Sequence, residues 1–493
     1  MDELIYYNAM GKPEDKKNLT SFAYLSSLHT TKIYHQYKQS PSSANGSVNL
    51  AIGNGSHLLV ALPDKPILHV YLYGKESPEQ IIPLPEILTS LTCYRDDNFE
   101  VPTLLLGGSI SGRLYVWSLN SGLLLTVKQS HYQPLTHIVS HSGFIATGSK
   151  DSRIIIHSIN SLFMNNISED NDNNNEKPFA IITDHTLPIT SLHFNKGLNN
   201  DIKLISSSLD STVRIYSLTS NIELLTTIVS TNPITALAID PAFRALYLGM
   251  SNGQIRSVDL FKINPKNKII EAVGGLGKII TLKPDIDYNE TFNCHEDQYK
   301  AIDENKVSIT QLKVSFDGTL LVSGDDKGAL FVIDITTKQI RKKLKELVGP
   351  ISNIELWSIN VNDKKFENQS GVDKTLMRTI PVLKRSIVET NDLVNEKLIM
   401  KLKDTKGKDE LTPIYNFSKW IDNVQNEEKV FANFSGVDSE TLGSNGNGFF
   451  INIDRTTIKD LKQELENKDA AFKSLKKQYD DLLAEYMESS KNI

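Results

Sequence analysis

Short runs in which apolar and polar residues alternate, each run bounded by a turn, recur over about the first 360 residues of the chain. Alternation with a period of two predicts half-buried β-strands. Five pairs of runs share one order of strand, turn and strand, and their second runs begin at Ser111, Asp151, Asp210, Asn252 and Lys327. Two weaker copies precede them, in segments 3–27 and 57–74. The pattern predicts seven repeats of a small β-sheet.

The repeats keep a common register. The positions equivalent to Trp117 are Ala23, Val70, Trp117, His157, Tyr216, Val258 and Ile333, and the spacings between them are 47, 47, 40, 59, 42 and 75 residues. A period of about 40 to 45 residues is typical of the four-stranded blades of WD-type propellers. The two longest spacings predict insertions, at about 161–178 and about 261–306, rather than missing blades. The first insertion is polar and acidic, so we expect a solvated loop there.

A closed ring is the arrangement that hides most of the strand edges and apolar faces of such sheets. The first repeat lacks an innermost strand, whereas a strand-like run, Pro350–Ile359, follows the seventh repeat. We therefore predict that this run completes the first blade. The predicted fold of residues 1–360 is an all-β, seven-bladed WD-type β-propeller.

Two repeats carry a polar quartet similar to that of WD repeats. The quartets are His185, Ser206, Asp210 and Tyr216 in one repeat, and His131, Thr147, Asp151 and His157 in the other. An acid in a tight turn can accept a hydrogen bond from an imidazole, which can also reach a strand hydroxyl and an aromatic donor. Because the same set recurs at the same strand offsets, we expect it to tie turn to strand. We predict no catalytic residues and no cofactor.

Motifs for other chemistry are incomplete. The run Gly274–Lys278 is similar to a phosphate-binding loop, but Ala272 stands at the first glycine position and Ile279 replaces Ser or Thr. We expect a flexible insertion there. Cys294–His295 lacks a second ligand pair at zinc spacing, so no metal site is predicted. The basic run Arg341–Lys345 predicts a solvated strand edge, with nuclear import or an RNA contact as the alternative.

Composition narrows the class of protein. The chain has 493 residues, 39% of them hydrophobic, and 53 Lys and Arg against 59 Asp and Glu give a net charge of −6. This charge argues against attraction of the whole surface to nucleic acid or anionic lipid. Cys93 and Cys294 are too few for a disulfide framework and favour a reducing compartment. An acidic N-terminus and the absence of a long apolar run predict a soluble, intracellular protein without membrane association.

After about residue 360 the alternation stops, and residues 361–455 have the polar composition of an extended linker. Within it, the short amphipathic segment 412–434 would place Phe417, Trp420, Ile421 and Val424 on one helical face. A tryptophan on such a face is costly to leave in water. Packing of this face on the propeller and docking into a partner both remain open.

Residues 456–493 carry a heptad pattern. Its seam positions are Ile458, Leu461, Leu465, Lys468, Phe472, Leu475, Tyr479, Leu482 and Tyr486. This seam predicts a coiled-coil helix that packs against another helix. Lys468 in the seam, and Glu464 facing Asp469 across the flank, disfavour a simple parallel homodimer. Self-association, binding of a partner and folding back onto the propeller all stay open.

Several segments resemble the fungal WD-repeat subunit, of the Ipi-three type, of the Rix complex in large-ribosomal-subunit maturation. They are 83–88, 104–138, 184–190 and 316–328, and the resemblance extends to 417–434 and the terminal helix. It implies a nuclear scaffold, in nucleolus and nucleoplasm, that binds a helical-repeat Rix-type subunit and a third subunit. The resemblance also implies that this complex joins the pre-60S particle, supports removal of the internal transcribed spacer from rRNA, and recruits a midasin-type AAA ATPase. It leaves direct rRNA contact open.

Two other classes of function compete with a scaffold. A WD-repeat substrate receptor of a ubiquitin ligase, or an adaptor of a vesicle coat, would use the same fold, although a ligase receptor should carry an additional adaptor-binding module. A propeller enzyme would need convergent acids, metal ligands or a nucleophile in its central funnel. The incomplete motifs favour a non-enzymatic scaffold.

Overall fold

The computed structural model describes residues 2–12, 14–15, 18–50, 57–94, 104–164, 178–195, 201–218, 222–264, 266, 268–283, 291–295, 307–359 and 380–387. All of them belong to the first of two units of the chain, Met1–Met400. Three predicted features lie outside the described residues: 165–177 of the first insertion, the cluster around Trp420, and the heptad helix 456–493.

The described strands form seven blades, numbered here along the chain. Blade 1 begins with β1 (Asp2–Ala9), β2 (Phe22–Ser27) and β3 (Ile33–Lys38). Blade 2 contains β4 (Ser47–Leu50), β5 (His57–Ala61), β6 (Ile67–Leu72) and β7 (Gln80–Pro83). Blade 3 contains β8 (Leu88–Tyr94), β9 (Leu104–Ser109), β10 (Arg113–Ser118) and β11 (Leu124–Gln129).

The next three blades follow in order. Blade 4 contains β12 (Leu135–His141), β13 (Phe144–Ser149), β14 (Ile154–Ser158) and β15 (Ala180–Ile182), with the short helix α1 (Ile159–Met164) after β14. Blade 5 contains β16 (Ile189–Phe194), β17 (Lys203–Ser208), β18 (Thr212–Ser217) and β19 (Glu223–Val229). Blade 6 contains β20 (Ile234–Ile239), β21 (Ala245–Met250) and β22 (Ile255–Asp259).

The second insertion and the last blade complete the strands. The insertion contains β23 (Phe261–Ile263), β24 (Ile270–Ala272), β25 (Lys278–Thr281) and β26 (Thr291–Phe292). Blade 7 contains β27 (Ile309–Val314), β28 (Leu320–Asp325), β29 (Leu330–Asp334) and β30 (Ile340–Lys343), and β31 (Ile351–Ile359) follows it. The predicted count of seven blades is confirmed.

The two ends of the strand order meet in blade 1. Strand β31 pairs antiparallel with β1 from Asp2 opposite Ile359 to Ala9 opposite Ile351. The Ser352 hydroxyl donates to Asn8 Oδ1 at 2.8 Å, and the Asn353 amide reaches the Ser47 carbonyl of blade 2 at 2.8 Å. The predicted completion of the first blade by the run after the seventh repeat is confirmed.

The ring is closed around its centre by the innermost strands, which contact one another in the order β31, β4, β8, β12, β16, β20, β27 and again β31. Seven buried apolar clusters lie between the blades, one at each interface. Each blade thus covers the face of its neighbour, so removal of one blade would expose two apolar faces. The seven positions predicted to be equivalent to Trp117 all lie on the third strand of their blades.

The second insertion is more ordered than the sequence predicts. Strand β25 adds to blade 5 as a fifth strand, parallel to β19, and β26 pairs with β22 of blade 6. Strands β23 and β24 form a separate hairpin. The prediction of a flexible insertion at Gly274–Lys278 is wrong in this respect, because the Gly275 and Gly277 amides donate to Thr226 Oγ1 and the Leu225 carbonyl, both at 2.9 Å.

Residues 380–387 lie on the propeller, although the sequence assigns them to an extended linker. Ile380 and Leu383 are buried in the cluster between blades 2 and 3. The Lys384 amide donates to the Gly122 carbonyl at 2.8 Å, and Ile387 forms a parallel bridge with Leu124 of β11. This part of the linker is therefore held against blade 3.

Candidate partner-binding face

The polar residues predicted for blade 5 meet where its turns approach one another. His185 Nδ1 lies 2.9 Å from Asp210 Oδ2, and Nε2 lies 2.8 Å from Ser206 Oγ. Because a carboxylate only accepts, Nδ1 donates to Asp210 and a neutral ring then accepts from Ser206 at Nε2. Tyr216 does not join this set, since its hydroxyl donates to Asp184 at 3.0 Å. We call a His, Asp and hydroxyl set of this kind a turn triad.

Blade 4 has the same arrangement. His131 Nδ1 lies 3.1 Å from Asp151 Oδ2, and Nε2 lies 2.9 Å from Thr147 Oγ1. His157, the fourth predicted residue, contacts Ser130 Oγ at 3.2 Å through Nε2 rather than Thr147. In both blades the aromatic or imidazole side chain on the third strand therefore finds a partner outside the turn triad.

Blade 7 holds a third turn triad that the sequence analysis missed. His295 Nδ1 lies 3.2 Å from Asp325 Oδ2, and Nε2 lies 2.7 Å from Ser323 Oγ. The acid stands two positions after the hydroxyl residue here, instead of four as in blades 4 and 5, and His295 lies 28 positions before Ser323. Its carboxylate still closes the turn by accepting from the Lys327 and Ala329 amides at 3.1 and 2.7 Å. The run Val-Ser-Gly-Asp at the end of β28 was the available signal.

The Ser, His and Asp of a turn triad have the hydrogen-bond order of a hydrolase triad, but not its accessibility. Ser206, Ser323 and Thr147 are fully buried beneath their turns. A nucleophile must reach the reacting atom of a substrate. These hydroxyls reach only protein atoms, so the geometry suits a role in holding the turns.

Electrostatics favour ionised acids in the turns of blades 4 and 5. Burial alone would raise the pKa of the Asp151 carboxyl, but hydrogen bonds from His131 and from the Arg153 and Tyr132 amides lower it below its usual 3.8. The pKa of Asp210 is lowered in the same way, with burial opposed by hydrogen bonds from His185 and Thr212. The imidazole of His157 is different, because burial, followed by the charge of Lys128, lowers its pKa to about 3 and keeps it neutral.

The turn triads also fix the exposed residues beside them. Asp151 accepts from the Tyr132 amide at 3.2 Å and from the Arg153 amide at 3.0 Å. The Tyr132 side chain is 81% exposed, and the Arg153 guanidinium lies 5.6 Å from its ring centre. On neighbouring blades, Ile110 and Leu187 are exposed beside the corresponding turns. Tyr and Arg are enriched among residues that dominate binding energy. The exposed residues Ile110, Tyr132, Arg153 and Leu187 therefore form a candidate partner-binding surface, here called the triad face.

Blade 3 lacks a turn triad and closes its turns differently. Gly107 occupies the position of Ser206, and a Cβ there would lie 2.9 Å from Trp117 Cζ3. The Trp117 indole therefore has no strand hydroxyl and donates instead to the Lys384 carbonyl at 3.0 Å. Gly112, with φ of +87°, brings its turn against His131, whose carbonyl lies 2.2 Å from where a Cβ would stand. The turn of blade 3 is thereby joined to the residue that precedes Tyr132, since the His131 amide donates to the Gly112 carbonyl at 3.0 Å.

The centre of the ring is crossed by side chains. Asn45 donates to the Thr136 carbonyl of blade 4 at 3.4 Å and accepts from Gln311 of blade 7 at 3.1 Å. His137 and His193 face each other with ring centres 5.7 Å apart, and His193 donates to the Leu237 carbonyl at 2.9 Å. Burial, followed by the charge of Lys313, lowers the pKa of His137 to about 3. These contacts join Asn45, which precedes β4 of blade 2, to blades 4, 5, 6 and 7.

Three further sequence predictions concern metal binding, membrane association and the tail. Across the described ranges, no group of three His, Cys, Asp or Glu is arranged to hold a metal ion. No helix in the same ranges has the length and apolar character needed to cross a membrane. The residues predicted to bind partners through the tail lie outside the described part of the chain. They are Phe417, Trp420, Ile458, Leu461, Leu465, Phe472, Leu475, Tyr479, Leu482 and Tyr486.

A closed ring of seven blades, six of four strands and one of five, with turn triads in three of them, defines a WD-repeat propeller. The family model described as WD domain, G-beta repeat, matches residues 176–217, which contain the turn triad of blade 5. The chain as a whole belongs to the family of fungal pre-rRNA-processing IPI3 proteins, and the resemblance found in the sequence is confirmed.

Three relatives support this assignment. The pre-rRNA-processing protein IPI3 of Candida albicans is 36% identical over 510 residues, which cover 99% of this chain and 98% of the relative. The IPI3 protein of Scheffersomyces stipitis is 36% identical over 528 residues, with coverage of 99% and 98%. The pre-rRNA-processing protein crb3/ipi3 of Schizosaccharomyces pombe is 30% identical over 394 residues, with coverage of 76% and 81%.

Proposed function

We propose that this chain is a non-enzymatic scaffold subunit of a complex that processes pre-rRNA during assembly of the pre-60S particle. The observation that carries the proposal is the turn triad of blade 4, in which the half-buried Asp151 carboxylate accepts from the backbone amides of both members of the exposed Tyr132–Arg153 pair. A surface held in this way loses little conformational freedom on binding. Such a surface suits a protein that positions others, and the names of its relatives point to pre-rRNA processing.

The finer part of the proposal concerns the partners. The complex would contain a helical-repeat Rix-type subunit and a third subunit, would support removal of the internal transcribed spacer, and would lead indirectly to particle remodelling by a midasin-type AAA ATPase. It would act in the nucleolus and nucleoplasm. The triad face would bind one subunit, and the tail, through Trp420 and the heptad seam, would bind another or a second copy of the chain.

Depletion tests this function. A yeast strain whose own IPI3 protein is repressed would be rescued with the wild-type chain, and spacer-containing rRNA precursors would be measured by hybridisation. The proposal expects precursor accumulation on depletion and its disappearance on rescue. Normal precursor levels after depletion, or co-purification of the chain with ubiquitin-ligase or vesicle-coat subunits in place of large-subunit precursors, would contradict it.

A further inference from the structure

The hairpin of β23 and β24 has an apolar face that is open to solvent. Phe261 lies opposite Ala272, and Ile263 lies opposite Ile270. Residues directly opposite in an antiparallel pair share a face, as do residues two apart on one strand. Phe261, Ile263, Ile270 and Ala272 therefore form one surface, here called the hairpin face. Ile263 and Ile270 are 68% and 67% exposed.

The hairpin is held in place beside blade 5. The Val273 amide donates to the Leu260 carbonyl at 2.8 Å, which closes the hairpin at its base. The following residues are fixed to β19 through Gly275 and then through β25. Folding therefore presents the apolar face at a defined position, and an isolated two-stranded hairpin gains no stability from an uncovered apolar face.

The surroundings of the hairpin face are basic. Residues 259–283 contain five lysines, 262, 266, 268, 278 and 283, against two acids, Asp259 and Glu271, whereas the chain as a whole has a net charge of −6. Lys266 and Lys268 are exposed at the turn of the hairpin. Glu271, one of the two acids, already accepts from the Asn264 amide group at 2.9 Å. The local charge thus selects for an acidic partner.

We propose that the hairpin face binds a segment of a partner protein that is both apolar and acidic. The apolar residues of the segment would cover the isoleucines, and its carboxylates would lie against the lysines of the turn. A nucleic acid would use the lysines but would leave the isoleucines in water, so a protein segment accounts for more of the surface. This inference deepens the proposed scaffold function and rests on it.

Site-specific photo-cross-linking tests the proposal in the assembled complex. A photoreactive p-benzoylphenylalanine would replace Ile263 in the full chain, and the cross-linked peptides would be sequenced by mass spectrometry. The control position is Ile81 on β7, which is exposed to a similar degree at 61% but lies on blade 2. The proposal expects one acidic, apolar peptide from a partner subunit at position 263 and not at position 81.

Binding of the identified peptide, made synthetically, would then be measured by fluorescence anisotropy with the purified full chain. Ile263→Ser with Ile270→Ser should weaken binding at least about tenfold, and Ile81→Ser should leave it unchanged. Lys266→Glu with Lys268→Glu should weaken it independently, and raising salt from about 50 mM to about 300 mM should weaken binding to the wild-type chain. The charge variant keeps the test valid if the serine variant fails to fold.

Several results would overturn the inference. They are cross-links to rRNA, to a second copy of the chain or to its own tail, equal cross-linking from Ile81, no cross-link at all, or binding that is insensitive to both variant pairs. If the chain still sediments with large-subunit precursors in these cases, the hairpin proposal alone fails. If the chain does not sediment with them, the scaffold function fails.

Discussion

Blades 5 and 3 satisfy the same buried position of the third strand with different parts of the chain. In blade 5, Tyr216 donates to Asp184 of its own repeat, next to a complete turn triad. In blade 3, Trp117 donates to the carbonyl of Lys384, which is 267 positions away. The third-strand position of blade 5 is therefore satisfied within its own repeat, whereas that of blade 3 depends on a segment that follows the last blade in the sequence. A repeat that lacks a turn triad can keep its fold when a remote segment supplies the hydrogen-bond partner.

A substitution that disrupts β31, the strand that closes the ring by pairing with β1, should lower the free energy of unfolding most. Ile354 on β31 is fully buried between blades 7 and 1. Ile354→Asp should lower the free energy of unfolding by about 5 kcal/mol or more, because it places a carboxylate in an apolar cluster and opens the ring. The check is denaturant unfolding followed by circular dichroism, with Ile354→Val, expected to cost about 1 kcal/mol, as the control. An unchanged midpoint in the Asp variant would refute the closing role of β31.

Acid should destabilise the propeller through its buried neutral histidines. The pKa of His157 is about 3 in the folded chain and near 6.5 when exposed, so the unfolded chain binds more protons between these values. Stability should therefore fall as pH decreases from about 6.5 towards 3, by on the order of 4 kcal/mol for this residue. His157→Gln should reduce the slope of melting temperature against pH, leaving the contributions of His137 and of the other histidines whose pKa burial lowers, His35, His57 and His69. An identical slope in the variant would contradict this.

The turn triad of blade 5 should contribute less to the free energy of unfolding than the packing of Ile354 or the neutral state of His157. His185→Ala leaves Ser206 and the ionised Asp210 without their imidazole, so we expect a loss of about 3 kcal/mol. Asp210→Asn should lower the free energy of unfolding less in the His185→Ala chain than in the wild-type chain. In the His185→Ala chain it removes a carboxylate that has already lost its imidazole. Denaturant unfolding of the four chains gives the coupling. Strictly additive costs would show that the two residues do not act together.

The hydrogen bond from Trp117 to the Lys384 carbonyl should contribute to stability only while the segment 380–387 is present. Trp117→Phe and Tyr216→Phe would each be measured in the full chain and in a chain that ends at residue 379. Truncation should reduce the cost of Trp117→Phe by about 1 kcal/mol, because the Lys384 carbonyl is no longer there to be lost. The cost of Tyr216→Phe should be the same in both chains. Equal effects of truncation on the two substitutions would remove the distinction between the blades.

Much of the ring could be predicted from the sequence because its signal is repeated. Seven copies of a period-two pattern set the blade count, and a missing first strand together with a surplus strand after the seventh repeat indicated the closure at β31. The turn triads of blades 4 and 5 could be recognised because His, hydroxyl and Asp stand at equal strand offsets. The third turn triad was not predicted, because Asp325 occupies a different position in its turn and His295 lies inside an insertion.

Contacts made by a single copy of a sequence could not be predicted in this way. The partner of Trp117 is a backbone carbonyl, which any residue at position 384 provides, so the side chains there carry no signal. The pairing of β25 with β19 is likewise a backbone contact in a glycine-rich run, which suggested a flexible loop. No sequence pattern indicates that Tyr132 and Arg153 are paired. Their pairing depends on Asp151, whose carboxylate accepts from both backbone amides.

We propose that the triad face binds a partner in the assembling large subunit. The most direct test is the fraction of the chain that sediments with large-subunit precursors, compared between wild type, Tyr132→Phe, and Tyr132→Ala with Arg153→Ala. We expect a loss of at least about tenfold for the double variant, little change for Tyr132→Phe, and free energies of unfolding within about 0.5 kcal/mol of wild type for both. Wild-type sedimentation of a folded double variant would contradict it.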